Sequence, residues 1–294
     1  MSVGALAALG AALCWAATNL ILRETIATLG GATAQAWRTV VGVLVFAPAF
    51  LALRPPRALL AISPRTVLAL LLAVLLSMVI GDILQFTAVR HLGVALTLPL
   101  ASAYPLLTVP LAVATLGEVP SVWLLVGALL IVAGVVLVAL PRGAPGSTGV
   151  VAAAGSNHGA GVALALGSAV CVAAATALTR AALRDVDILA ANMLRLPFSA
   201  ALCTAISAAQ RRRPPWQVAR RNVLPLCLAG LTGLGSTLCY LVALQLVGAS
   251  TTATLNAAGP IFGLLGAVAF LRERPTRRSV AGTFVAFLGI VLVV

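Results

Sequence analysis

Apolar runs separated by short polar punctuation recur from one end of this chain to the other. A helix crossing a hydrocarbon layer of ~30 Å needs ~20 such residues. By that measure the pattern predicts helices near 3–22, 33–53, 66–89, 93–116 and 121–140. Five more are expected near 160–180, 188–209, 223–246, 249–271 and 278–294. A Gly/Pro/Ser-rich linker, 141–159, separates the two groups. The first run has no basic n-region and no convincing A-x-A site followed by a soluble domain. It reads as a retained helix and not as a cleaved signal peptide.

The two groups are copies of one unit. LPLASAYPLLTVPLAVATLGEVPSVWLLVGALLIVAGVVLV, Leu98 to Val138, returns at a constant offset of 155 as ATLNAAGPIFGLLGAVAFLRERPTRRSVAGTFVAFLGIVLV, Ala253 to Val293. Pro105 falls on Pro260, Glu118 on Glu273, Gly127 on Gly282 and Gly134 on Gly289. Earlier in each copy the offset is 157: Gly10 meets Gly167, Cys14 meets Cys171, Arg23 meets Arg180 and Arg38 meets Arg195. Arg54–Pro56 meets Arg213–Pro215 at 159. A period near half the chain is the mark of duplication. The expected organisation is therefore residues 1–140 as one five-helix repeat, 141–159 as linker and 160–294 as the second repeat. Five crossings reverse the side of the membrane, so the second copy inserts upside down. Such inverted repeats are a hallmark of secondary transporters, with the substrate site near the midplane.

Composition closes off the water-soluble alternatives. Of 294 residues 62% are hydrophobic and 9% charged, with a mean hydropathy of +1.13. A soluble domain carries roughly a quarter charged residues. The net charge of +13 comes from 19 basic residues, all arginine, which sit between the apolar runs as loop charges do. That distribution speaks against nucleic acid as a partner. The five cysteines lie within apolar runs, without a C-x-x-C or a neighbouring His, and read as small packing residues. If the termini are cytoplasmic, Arg54, Arg57, Arg65, Arg180 and Arg184 face inside. Setting aside Arg38 and Arg195 within helices, 19 − 5 − 2 = 12 arginines face outside. The charge rule thus favours external termini.

Trp15 and Asn19 in helix 1, Arg38 early in helix 2, Gly81-Asp82 followed by Ala88, Pro105, the L-G-E-V-P turn (Leu116–Pro120) and the glycines of helix 5 form an ordered set. Arg195, Ala243, Pro260, the L-R-E-R-P turn and Gly282/Gly289 repeat its outline. In this the chain resembles the drug/metabolite transporter superfamily, specifically its ten-helix EamA-like permeases, over essentially its full length. The resemblance implies an all-α integral membrane protein of ten transmembrane helices in two inverted repeats. It also implies a plasma (inner) membrane carrier working by alternating access, often exporting amino acids or other small metabolites, with cytoplasmic termini. Proton exchange is frequent among such carriers.

Several polar side chains are candidates for the path. Asp82 is the one acid placed well inside an apolar run, at a depth similar to Arg38 and Asn19. A carboxylate there costs ~2.5–3.5 kcal/mol unless paired or wetted. Asp82 and Arg38 either carry proton or substrate or form a structural ion pair between helices 2 and 3. Position 237, the mate of Asp82, is Thr, so Arg195 lacks an acid in its own half. Arg195 either meets a substrate carboxylate or phosphate, or snorkels to the interface. Gln85, Ser102 and Tyr104 in the first repeat, with Asn192, Tyr240, Gln245 and Asn256 in the second, are scarce polar groups that serve as contacts or as interhelical glue. Gln85 and Tyr240 are mates, which suggests that both face the cavity. Trp15, mid-helix, either stacks on substrate or packs the core. Pro99, Pro105, Pro110 and Pro260 interrupt helices 4 and 9, as hinges or static kinks; Pro105 and Pro260 are the paired candidates. Glu118 and Glu273 are expected to cap helices or pair with arginines.

The composite expectation is a secondary transporter of small polar metabolites, without cofactor or metal, whose partners are substrate, lipid and, if coupled, protons. It is expected as a monomer or homodimer and not as an enzyme. The alternatives are a lipid-carrier flippase, a membrane-embedded enzyme on a lipid-linked substrate, and a passive channel. The enzyme would need a nucleophile, base or metal set that the sequence does not offer. No ATP-binding loop is present for primary transport.

Overall fold

In the computed structural model the residues described are 2–29, 31–92, 97, 100–139, 158–209, 220–271 and 277–294. Every regular element among them is helical. In chain order these are α1 (Val3–Leu29), α2 (Gly31–Leu53), the single turn α3 (Arg57–Leu60), α4 (Pro64–Val74), a π-helical run (Leu75–Gly81) and α5 (Asp82–Leu92). Then come α6 (Tyr104–Leu116), α7 (Val122–Ala139), α8 (His158–Ala182), α9 (Ile188–Ala209), α10 (Arg220–Asn256), α11 (Gly259–Leu271) and α12 (Arg277–Val293). Among the described residues six stretches are long and apolar enough to cross a bilayer: Val3–Leu22, Thr33–Leu53, Pro64–Gln85, Gly159–Ala182, Ile188–Ala209 and Asn222–Asn256. Leu100–Leu116 and Val122–Val138 are shorter apolar helices.

Several boundaries depart from the hydropathy pattern. The first helix continues to Leu29, past the expected end at 22, because the polar residues after Leu22 still take helical backbone. His91, expected in a loop, lies in the last turn of α5. The expected helices 223–246 and 249–271 part at Gly248 as the pattern places them, and the second is interrupted again at Ala257 and Ala258. α10 runs on to Asn256 through a kink at Gly248, whose φ of 83° and ψ of 178° belong to glycine. The π run Leu75–Gly81 has no sequence signal. Its wider turns rotate the following face relative to a regular α-helix.

Small residues set how closely the helices approach. α1 buries Ala5, Ala8, Ala11, Ala12 and Ala16, with Ala5 and Ala8 packed against Ala243 and Leu255 of α10. Its repeat mate α8 buries Ala165, Ala169 and Ala173, the counterparts of Ala8, Ala12 and Ala16, while lying along α4, the π run, α5 and α6. Each copy's first helix therefore packs on the other copy's third. Without a water-driven hydrophobic effect between helices in lipid, such close packing and interhelical hydrogen bonds supply the cohesion. The bonds are present: Thr18 Oγ1 to Thr232 Oγ1 at 2.8 Å, Ser236 Oγ to the Ala11 carbonyl at 2.9 Å, and Thr33 Oγ1 to Ser207 Oγ at 2.9 Å.

α7 and α12 pack on four glycines. Gly127 lies against Gly289 and Gly134 against Gly282, so residue numbers rise along one helix as they fall along the other. The two helices run antiparallel, and the sequence relates them as copies. A Cβ at Gly134 would sit 2.5 Å from the Gly282 carbonyl oxygen, and one at Gly282 would sit 2.6 Å from that of Gly134. Only hydrogen fits there.

Gly134→Val should therefore lower the apparent melting temperature of the detergent-solubilised protein, by an overpacking cost of about 1–3 kcal/mol. Gly263→Ala, where a Cβ would meet nothing within 4 Å, serves as the control and should leave it unchanged. Equal melting temperatures for Gly134→Val and wild type would contradict the glycine seam.

Candidate functional site

A cavity of about 60 Å³ lies between α2, α4 with its π extension, α9 and α10. Its lining includes four pairs of repeat mates: Arg38 with Arg195, Thr39 with Leu196, Gly42 with Ser199, and Met78 with Gly233. Both copies thus contribute equivalent positions to one space. Val74, Asn192, Gly230, Leu234 and Thr237 complete the wall. Gly230 and Gly233 leave the room that Arg38 occupies. A Cβ at Gly233 would stand 3.1 Å from Arg38 Cδ, and one at Gly230 would stand 3.2 Å from the Arg38 carbonyl oxygen. Ser199 Oγ bonds Met78 Sδ at 2.8 Å across the cavity's edge.

Thr39, Ser199 and Thr237 of the wall are hydrogen-bonded, while its arginines and its amide keep atoms without protein partners. Arg38 Nε, Arg195 Nε and Nη1, and both amide atoms of Asn192 are buried and make no hydrogen bond to protein. Asn192 itself is 0% exposed. Arg195 therefore holds buried donors at the cavity and does not carry its guanidinium to the interface. Asp82, Arg38 and Cys203 lie within electrostatic range of one another. Asp82 nevertheless forms no ion pair with Arg38 within 4.0 Å, and the ion pairs among the described residues lie elsewhere. The direct Asp82–Arg38 pair expected from depth alone is thus not formed. The π run ahead of Asp82 changes which way its helix faces.

Other candidates fall outside the cavity wall. Asn19 is exposed and donates back to the Trp15 carbonyl at 2.8 Å, so it does not join Arg38 and Asp82. Trp15 is 45% exposed and its ring lies against the backbone of Gly259. Gln85 and Tyr240 were expected to face the cavity as mates, yet neither lines it. Tyr240 shares a 2.9 Å hydrogen bond with Thr176 on α8 and stands within electrostatic range of Arg195.

The paired prolines sit at paired interruptions. Ala103 breaks the helix before α6, and Pro105 follows in the first turn, where its missing N–H costs nothing. Ala257 and Ala258 form the turn before α11, whose second residue is Pro260. Polar groups bridge the two breaks: Tyr104 Oη donates to the Ala253 carbonyl at 3.1 Å, and Asn256 Nδ2 donates to Tyr104 Oη at 3.4 Å. Ser102 lies one residue before the first break, half-buried. Pro110 is an exposed kink position inside α6. Pro99 and Glu273 lie outside the described residues.

Polar contacts join the two copies around Glu118. Gly117, at φ 67°, ends α6 with a left-handed cap and turns Glu118 outward. The kink at Gly248 frees two backbone N–H groups, and Glu118 accepts from Ala249 N at 2.6 Å and Ser250 N at 3.0 Å. Ser250 Oγ donates to it at 2.6 Å, and Arg180 stands 3.9 Å away. Arg184 Nη2 donates to the Leu116 carbonyl at 2.6 Å, and Arg54 pairs with Asp187 at 3.5 Å.

Comparison with known proteins agrees with this architecture. The profile of the EamA-like transporter family matches the chain twice, over residues 2–140 and 159–294. The chain belongs to the EamA-like transporter family. An uncharacterized transporter of Archaeoglobus fulgidus is 28% identical over 293 residues, spanning 98% of this chain and 96% of that protein. A solved crystal structure, 20% identical, superposes with a TM-score of 0.78 over 98% of this chain and 95% of the other, a likeness of fold. The protein is thus a multi-pass membrane transporter.

In this EamA-like transporter, sequence reading missed Thr39, Gly42, Met78, Ser199, Gly230 and Gly233 at the cavity. The available signals were the mate pair Gly42/Ser199 and the cluster Gly230, Gly233 and Gly235 in one helix. Glu118→Ala removes three charge-assisted hydrogen bonds between the two copies. It is expected to destabilise the solubilised protein by about 1.5–3 kcal/mol, against about 0.5–1.5 kcal/mol for Ser250→Ala. Thermal unfolding of both single variants and the double variant checks this, with the double costing less than the sum because the two share a bond.

Proposed function

We propose that the protein is a secondary transporter exporting small polar metabolites, amino acids or related compounds among them, across the plasma membrane by alternating access. Its ten helices form two five-helix copies of opposite orientation. The cavity walled by equivalent residues of both copies, Arg38 opposite Arg195 above all, is the observation that carries this reading. A space on the axis relating two inverted copies can be offered to either side by the same motion run in opposite senses. The antiparallel glycine seam of α7 and α12, and the matching breaks before α6 and α11, support the inverted relation. The Glu118 ties support a state with one end closed. Their release is the step that opens it. Pro105 and Pro260 are the hinges of the paired breaks. Asp82 is the coupling acid, its charge balanced against Arg38 across less than a full contact.

Two measurements test the reading. Single cysteines at Arg57 and Arg220, the exposed starts of α3 and α10, should react with impermeant reagent from opposite faces of sealed vesicles; reaction from one face removes the inverted arrangement. In proteoliposomes given a labelled metabolite panel, Asp82→Asn should lose accumulation driven by a pH gradient while retaining downhill flux. Undiminished pH-driven accumulation in that variant would end the assignment of Asp82.

A further inference from the structure

The cavity also points to the kind of solute it takes, an inference that rests on the transporter reading above. We propose that the central site binds an oxyanion, the acid group of a small organic acid, between the guanidinium groups of Arg38 and Arg195 and the amide of Asn192. Three observations converge on it. No Asp or Glu lines the cavity, while two arginines do. The donors left without protein partners are Arg38 Nε and Arg195 Nε and Nη1, joined by the amide of the fully buried Asn192. Among the described residues Arg195 forms no ion pair, whereas Asp82 lies within electrostatic range of Arg38 from outside the wall. With Asp82 counted against Arg38, the charge of Arg195 is left over at the cavity.

A guanidinium taken out of water without a counter-charge is costly, and the cost falls when a ligand brings the charge. Arg presents a planar fork of N–H donors that suits carboxylate and phosphate oxygens, and here two forks and an amide donor open on one space. The cavity of about 60 Å³ suits an acid group or a few waters. The rest of the solute extends along the path. Gly233 serves the site by leaving room for the Arg38 stem, and Gly230 does so for Val41 and the backbone of Arg38.

The test is binding to purified wild-type protein in detergent, read by thermal unfolding with sodium acetate, succinate, glutamate or phosphate against sodium chloride at equal ionic strength. At least one oxyanion at about 10 mM should raise the melting temperature by a few degrees, rising with concentration as mass action requires. Separate responses to the carboxylates and to phosphate tell which acid is held. Arg195→Gln should abolish the shift. Asn192→Leu guards against loss of folding: removing an unpartnered buried amide should leave the unliganded melting temperature equal or higher, with the oxyanion shift lost. If no oxyanion stabilises the wild type beyond chloride, or Asn192→Leu and Arg195→Gln keep the full shift, the proposal falls. Stabilisation without uptake of the same labelled acid in proteoliposomes keeps the site and removes the transport reading. Uptake of neutral or cationic solutes with no oxyanion stabilisation does the reverse.

Discussion

Lipid offers a polar group nothing, so each one must find its partner inside the protein. That constraint explains where this chain departs from straight helix. At the kink of α10 the two N–H groups released by Gly248 are taken by the Glu118 carboxylate. At the break before α6 the neighbouring Tyr104 hydroxyl reaches across to the Ala253 carbonyl, beside the matching break before α11. At the Gly248 kink another helix supplies what the broken one lost, and at the paired breaks Tyr104 joins the two copies.

Against that background the central cavity is the exception, and its exception is concentrated. Arg38, Arg195 and Asn192 gather unpartnered donors at one place, on helices that belong to both copies. Among the described residues most of the buried side-chain atoms left without a partner stand on these three residues, and Thr252 Oγ1 is an isolated case elsewhere. The small residues of the scaffold serve the same end. Alanine rows on α1 and α8 and the glycines of α7 and α12 bring helices close enough to hold a rigid frame. The glycines of α10 instead leave space, and an arginine fills it.

Much of this was legible in the residues. Apolar runs located the helices, the offsets of 155 and 157 located the copies, and Arg38 with Arg195 emerged as mates. The L-G-E-V-P turn announced Glu118 as a capping residue. Less legible was the direction each side chain takes. Asp82 was matched to Arg38 by depth, which is a one-dimensional measure. The π run that precedes it alters the face of the helix, and no residue pattern marks such a run. Asn19 was placed beside them by the same measure, yet it folds back on its own helix. Gln85 and Tyr240 failed likewise, since equivalence by repeat fixes position along a helix and not the partner found across it.

By itself, then, the sequence determined the solvent, the helical class, the duplication and the family, because hydropathy and internal repetition are properties of the chain read in order. Only the tertiary structure decided which residues share the cavity, that Glu118 reaches Ala249 and Ser250 more than a hundred residues away, and that Arg195 keeps two buried donors without a protein partner. Those outcomes depend on how helices distant in sequence rotate and approach one another. That geometry is set by packing between side chains and has no record in linear order.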